Sequence, residues 1–162
     1  MRVKAFLTTA AVAIALATST ILTADAKENE PTREQIDAWT VEIGEQYEIC
    51  PELIQAVIER ESNYDADANG GGCLGLMQIS PKWHKARMKR LGVDDLSDPY
   101  NNILVGTDYI AELAEEYEDV GLVLMVYHGE SDAESKSNRG ELSSYAEEIL
   151  ERSAELERGH GK

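Results

Sequence analysis

Apolar residues recur along this chain at helical spacing, and most helix-sized segments carry their own start signal. Ile36, Trp39, Ile43 and Tyr47 follow one another at steps of three and four, which places them on one face of a helix. Thr32 followed by Gln35 fits the capping box that would open it. Pro51 sits where the first turn of a second helix tolerates proline, and that helix carries Leu53, Ile54, Val57 and Ile58. Ser80-Pro81 reads as cap and first residue of a third helix ending near Leu91-Gly92. Asp98-Pro99 repeats the signal for a long helix with Ile103, Gly106, Ile110, Leu113 and Tyr117 on one side. Asp119 to Tyr127 is almost wholly apolar, and its place between helices favours a buried helix over a strand. A final helix is expected from about Glu141 to Arg158. Asn63 to Gly75 and His128 to Gly140 read as loops. No repeat or second composition regime appears, so one compact, mainly α domain over 32–158 is expected.

The N-terminus belongs to a different regime. Arg2 and Lys4 precede an uncharged stretch from Ala5 to Leu22, and Ala24-Asp25-Ala26 has the small-x-small form of a cleavage site. Residues 1–26 therefore read as an export signal, with an uncleaved membrane anchor as the alternative. Residues 27–31 form a polar leader and 159–162 a short tail. Export is expected on either reading, cell-wall associated and secreted or anchored.

The whole chain carries a formal net charge of −16, and removing Arg2, Lys4 and Asp25 leaves 13 basic against 30 acidic residues, a net of −17. Such a surface repels nucleic acid and anionic lipid. Two cysteines occur, Cys50 and Cys73. Export makes a disulfide between them the favoured expectation, and buried free thiols the other. A bridge would close a loop of 24 residues and could stabilise by roughly 3 kcal/mol.

Ile54, Val57, Ile58 and Glu61 fall at i, i+3, i+4 and i+7 of the second helix, so the apolar face ends in a carboxylate. Glu59, two residues earlier, points nearly the opposite way. Glu61 should emerge from apolar packing where the helix gives way to loop. Desolvation there would favour the protonated form, which a general acid requires.

Glu61-Ser62, then Gly75-Leu76-Met77-Gln78-Ile79-Ser80-Pro81, then Tyr127 and Tyr145, together resemble the SLT-type lytic transglycosylases, relatives of goose-type lysozymes. The likeness runs from about Tyr47 to Arg152. It implies an α+β lysozyme-like fold of mainly helical content, a substrate cleft, and cleavage of the β-1,4 bond between N-acetylmuramic acid and N-acetylglucosamine. Glu61 would be the single acid/base, and the sugar's own 6-hydroxyl would close a 1,6-anhydro ring. Peptidoglycan glycan strands would be the partner, acted on by a monomer without cofactor. Ser62 and Gln78 would orient the acid or the substrate's acetamido arm, and Gly75, Leu76 and His128 would join them as substrate-binding or orienting residues. Met77 would wall the cleft or fill the core. Tyr127 could place its hydroxyl against Glu61, and Tyr145 likewise. A hydrolytic muramidase using the same Glu61 is the second reading. A binding module without catalysis is the third.

Three features depart from that pattern or imitate another. The family's Tyr-Asn-x-Gly is here Tyr127-His128-Gly129-Glu130, which replaces an amide by an imidazole that becomes donor-only when protonated. Glu130 or Asp132, if either faced Glu61, could activate water. Asp65 to Gly70 imitates half a calcium loop, but Leu76 stands at its twelfth position, so no metal is expected. Lys82, Lys85, Arg87, Lys89 and Arg90 cluster beside Trp83. They form either a solvated face or a docking surface for anionic wall polymers or an envelope machine.

Overall fold

The computed structural model describes residues 30–161. The signal expected over 1–26, and most of the polar leader, lie outside the described residues. Among those described, no helix is long and apolar enough to cross a membrane.

The described residues form seven helices and one small hairpin in the order α1 (Arg33–Tyr47), α2 (Pro51–Ser62), β1 (Asn69–Gly70), β2 (Cys73–Leu74), α3 (Lys85–Leu91), α4 (Pro99–Glu116), α5 (Val120–Tyr127), α6 (Ala133–Ser137) and α7 (Ser144–Gly159). The capping box forms with both arms: the Thr32 amide donates to Gln35 Oε1 at 2.8 Å, and the Gln35 amide to Thr32 Oγ1 at 3.3 Å. Helix α2 packs against both α1 and α7, while α4 packs against α1 and α5. Its stripe of Ile54, Val57 and Ile58 is fully buried, in a core shared with Ile36 and Ile43 of α1, Ile103 and Ile110 of α4, and Ile149 of α7. Glu59 turns outward as its register requires and pairs with Arg152 of α7 at 3.0 Å. Asp119 caps α5 by accepting from the Gly121 and Leu122 amides, so the apolar run is a helix.

Helix α2 stops abruptly. Asn63 and Tyr64 both take left-handed backbone angles, φ 51° and 64°, which for the bulky tyrosine costs on the order of 1–3 kcal/mol. The Tyr64 hydroxyl donates to the Gln55 carbonyl at 3.0 Å, and the Arg33 guanidinium lies 3.4 Å over its ring. These contacts hold the reversal, and the chain leaves toward the hairpin. There β1 and β2 pair antiparallel, Asn69 with Leu74 and Gly70 with Cys73. Gly71 and Gly72 have φ 61° and 85°, the two positive angles that a two-residue type I′ turn requires.

Several boundaries differ from the sequence expectation. The segment read as loop from Asn63 to Gly75 contains the hairpin, whose two-residue strands are too short to show a period. Helix α3 starts at Lys85 rather than Pro81. Ile79 is bridged to Leu74 by paired hydrogen bonds, and the Ser80 carbonyl accepts from the Trp83 and His84 amides. Residues 81–84 are thereby held in a turn. Residues 133–137 form the short α6 inside the expected loop, and α7 begins at Ser144, behind the cap of Ser143.

The basic cluster around α3 is partly spent inside the fold. Arg87 is buried against Asp108 of α4 and also reaches Glu112 at 2.9 Å, and Arg90 reaches Asp108 at 2.7 Å. Lys82, Lys85 and Lys89 stay exposed. Burial pushes the Asp108 carboxyl upward, but the hydrogen bonds and charges of Arg90 and Arg87 outweigh it and hold the group below its ordinary value. A depressed folded value means that this pair stabilises fully above about pH 4 and loses its contribution as pH falls through the folded value. Asp108→Ala should cost about 3–5 kcal/mol near neutral pH, because Arg87 is left buried without its partner. Urea denaturation between about pH 2 and 6 should show the gap between variant and parent closing toward acid.

Candidate active site

Beyond the end of α2 lies a cleft of about 280 Å³. Glu61 lines it, together with Cys73 and Gln78 from the hairpin side, His84, and the aromatic residues Tyr109, Tyr127 and His128. The apolar stripe of α2 carries Glu61 to this edge, one turn beyond buried Val57 and Ile58.

Tyr145 of α7 donates its hydroxyl to Glu61 Oε1 at 2.5 Å. Burial, then the neighbouring Tyr127 and Glu61, push the Tyr145 hydroxyl far above its ordinary value, so it remains a donor. Its ring stacks on His128, centroids 3.9 Å apart and planes within 14°, which locks the hydroxyl's aim. Glu61 Oε2 has no protein partner among the described residues and is not sealed from solvent. One carboxylate oxygen is therefore held and the other is left to the cleft.

The other residues singled out in the sequence take distinct places. The Tyr127 hydroxyl donates to the Met77 carbonyl at 2.8 Å; it ties α5 to the Gly75–Ile79 turn and is not bonded to Glu61. Ser62 Oγ donates back to the Ile58 carbonyl at 3.1 Å, a bond within its own helix. Leu76 and Met77 are fully buried, and a Cβ added at Gly106 would lie 2.5 Å from Met77 Sδ. Met77 thus fills the core against α4 and does not wall the cleft. Gly75 has φ 71°, and a Cβ there would meet Asn102 Nδ2 at 2.5 Å, so only glycine fits. Gln78 reaches the cleft with φ 48°, its amide donating to the Ala68 and Gly75 carbonyls at 3.1 and 3.0 Å.

Cys50 and Cys73 are both free thiols, and the expected bridge is absent. Cys50 precedes α2 and donates to Glu52 at 3.0 Å, whereas Cys73 lies in the cleft beyond the helix's other end. Twelve helical residues span about 18 Å, far beyond the Cα separation of about 7 Å that a disulfide tolerates. Burial and the charge of Glu61 push the Cys73 thiol up, which keeps it neutral. Glu130 and Asp132 are both taken by Lys136, at 2.8 and 3.1 Å, and neither lines the cleft. Asp65 accepts from the Asp67 amide at 2.9 Å, a local turn leading into the hairpin. Among the described residues no group of three or more His, Cys, Asp or Glu side chains converges as a metal site.

Three residues of the site escaped the sequence reading. Asn102 is fully buried; its Oδ1 accepts from the Met77 amide at 2.8 Å, and its Nδ2 donates to the Leu74 and Leu96 carbonyls at 2.7 and 3.0 Å. A polar residue four before Gly106, on the apolar face of α4, was the available signal. Tyr109 lies beside Ile110 on α4 and packs on Tyr127, centroids 5.4 Å apart. His84 had no signal, because the turn that places it depends on the hairpin.

A helical bundle with a minimal hairpin, and a cleft holding one carboxylate clamped by a buried tyrosine, define a lysozyme-like domain. The Transglycosylase SLT domain model matches residues 39–148, well over half of the chain, and the chain belongs to that family. It is 38% identical over 85 residues to a transglycosylase of Enterobacteria phage PRD1, covering 52% of this chain and 31% of that protein. Among solved structures, an inactive mutant of the lytic transglycosylase Slt from Pseudomonas aeruginosa superposes with a TM-score of 0.65 at 18% identity. That match covers 76% of this chain and 24% of the other; at such identity it speaks for the fold alone. The chain thus spans about a third or less of these relatives' lengths.

Replacing Asn102 by alanine should strand the buried Met77 amide and lower stability by roughly 1–3 kcal/mol. A lowered urea midpoint with an unchanged slope is the expected measurement.

Proposed function

We propose that this domain cleaves the β-1,4 bond between N-acetylmuramic acid and N-acetylglucosamine in peptidoglycan without consuming water, with Glu61 as the one acid/base. The supporting observation is that Glu61 is the only carboxylate among the described cleft-lining residues. Hydrolysing glycosidases use two carboxyl groups, roughly 5–5.5 Å apart when retaining and 6.5–9.5 Å apart when inverting. Glu130 and Asp132, which follow the lining residue His128 in the chain, are both engaged by Lys136.

In the first half-reaction Glu61 gives its proton to the bridging oxygen as the bond from that oxygen to the muramyl C1 breaks. In the second, the resulting carboxylate takes the proton of the muramyl 6-hydroxyl while O6 bonds to C1. A 1,6-anhydro end results, and Glu61 is protonated again. Tyr145, by holding Oε1, leaves Oε2 as the oxygen that exchanges the proton. The export signal read in residues 1–26 suits a substrate outside the cytoplasmic membrane, so we place the activity there.

Glu61→Gln should lower release of soluble fragments from purified peptidoglycan by roughly 10²–10⁴-fold. Mass spectrometry of the parent's products should find ends lighter by one water than reducing ends. Reducing ends would instead make the protein a hydrolase, and equal release by parent and variant would leave a binding module. Tyr145→Phe keeps the ring stacked on His128 but frees the carboxylate, and kcat should fall about tenfold, the worth of one hydrogen bond, with KM little changed.

A further inference from the structure

Three contacts fix His84. It precedes α3, and its amide donates to the Ser80 carbonyl at 3.0 Å. Its ring meets Tyr109 edge-on, centroids 4.7 Å apart. Its Nδ1 accepts from Arg87 Nε at 3.3 Å, and Arg87 is itself fixed by Asp108 and Glu112. Guanidinium groups only donate, so the bonded Nδ1 carries no hydrogen and the neutral ring carries its hydrogen on Nε2. Among the described residues no protein group accepts from Nε2, yet that nitrogen is not sealed from solvent. His84 lines the same cleft as Glu61, so its ring borders the space a ligand would fill.

We infer that His84 is a substrate-binding residue whose fixed Nε2–H donates to the acetamido carbonyl of a sugar next to the one being cleaved. This rests on the glycan-cleaving reading above. His84 packs on Tyr109, and Tyr109 on Tyr127, so two ring contacts separate it from the wall beside Glu61. A hydrogen bond at that remove falls on a neighbouring sugar and not on the scissile oxygen. An uncharged donor suits an uncharged acceptor, and the amide carbonyl recurs on each N-acetylated sugar of such a strand. Burial, then the charge of Arg87, hold the His84 ring below its ordinary value, which keeps the donor neutral and its tautomer single. Aspartate and glutamate on α4 thereby act on the cleft through Arg87, as positioning residues for His84.

The experiment uses the full chain carrying Glu61→Gln and, as probe, a soluble tetrasaccharide of alternating N-acetylglucosamine and N-acetylmuramic acid. His84→Ala should weaken binding about tenfold, and His84→Gln, which keeps a donor, should recover most of it. With a de-N-acetylated tetrasaccharide, His84→Ala should change nothing further. Nitrogen-15 spectra of the histidine ring should show the Nε2–H tautomer, with the Nε2 resonance shifting when the probe binds. In the active chain, His84→Ala should raise KM and leave kcat nearly intact. Unchanged binding in His84→Ala, no recovery in His84→Gln, an Nδ1–H tautomer, or equal His84 dependence with the de-N-acetylated probe would each overturn the inference. If the active chain cleaves peptidoglycan and ignores the His84 substitutions, the inference fails alone. If it neither binds nor cleaves, both fail.

Discussion

Asn102 is buried where α4 crosses the Gly75–Ile79 turn, and its amide makes three hydrogen bonds there. Backbone bonds to Leu74 and Ala68 hold the ends of the turn, but the Met77 amide has no backbone partner, so without this side chain it would be buried and unpaired. Once the turn is held, the Met77 carbonyl faces Tyr127 and accepts its hydroxyl, which anchors the end of α5. Gln78, in its left-handed conformation, is carried into the cleft by the same turn. Gly75 and Gly106 are the complementary half of the arrangement. Each lacks the Cβ that would strike Asn102 or Met77.

The chemistry is built on the other side of the same cleft by a different device. Helix α2 delivers Glu61 because its apolar face must be buried between α1 and α7, and α7 delivers Tyr145 because it packs along α2. The 2.5 Å hydrogen bond between them is thus a consequence of helix packing. His128 completes the clamp by stacking on Tyr145, a role in which an imidazole ring replaces the amide expected from the family pattern. Aromatic contacts then continue along the wall through Tyr127, Tyr109 and His84. Among the described residues that line the cleft there is no lysine or arginine, and the chain as a whole is strongly acidic.

The sequence was most legible where one physical signal acted locally. Capping residues and proline positions marked α1, α2 and α4, and the 3.6-residue period placed Ile54, Val57, Ile58 and Glu61 on one face. It was least legible where a distant contact chose between local options. The start of α3 depends on the Ile79–Leu74 bridge, the pairing partner of Glu61 on how α7 packs along α2, and the fate of Arg87 on Asp108 of α4. Cysteine parity suggested a bridge that the length of α2 forbids. Met77 could wall a cleft or fill a core, and the missing side chain at Gly106 decided for the core.

By itself the sequence determined that this chain is mainly helical and that a carboxylate ends the apolar face of its second helix. Both follow from periodicity and capping, which act over a few residues and need no knowledge of the rest. Only the tertiary structure decided that Tyr145 clamps that carboxylate, that Tyr127 serves the turn instead, and that the second acids are occupied by Lys136. Those outcomes join residues up to 84 positions apart. Which side chain reaches which depends on how whole helices pack, and no local pattern carries that information.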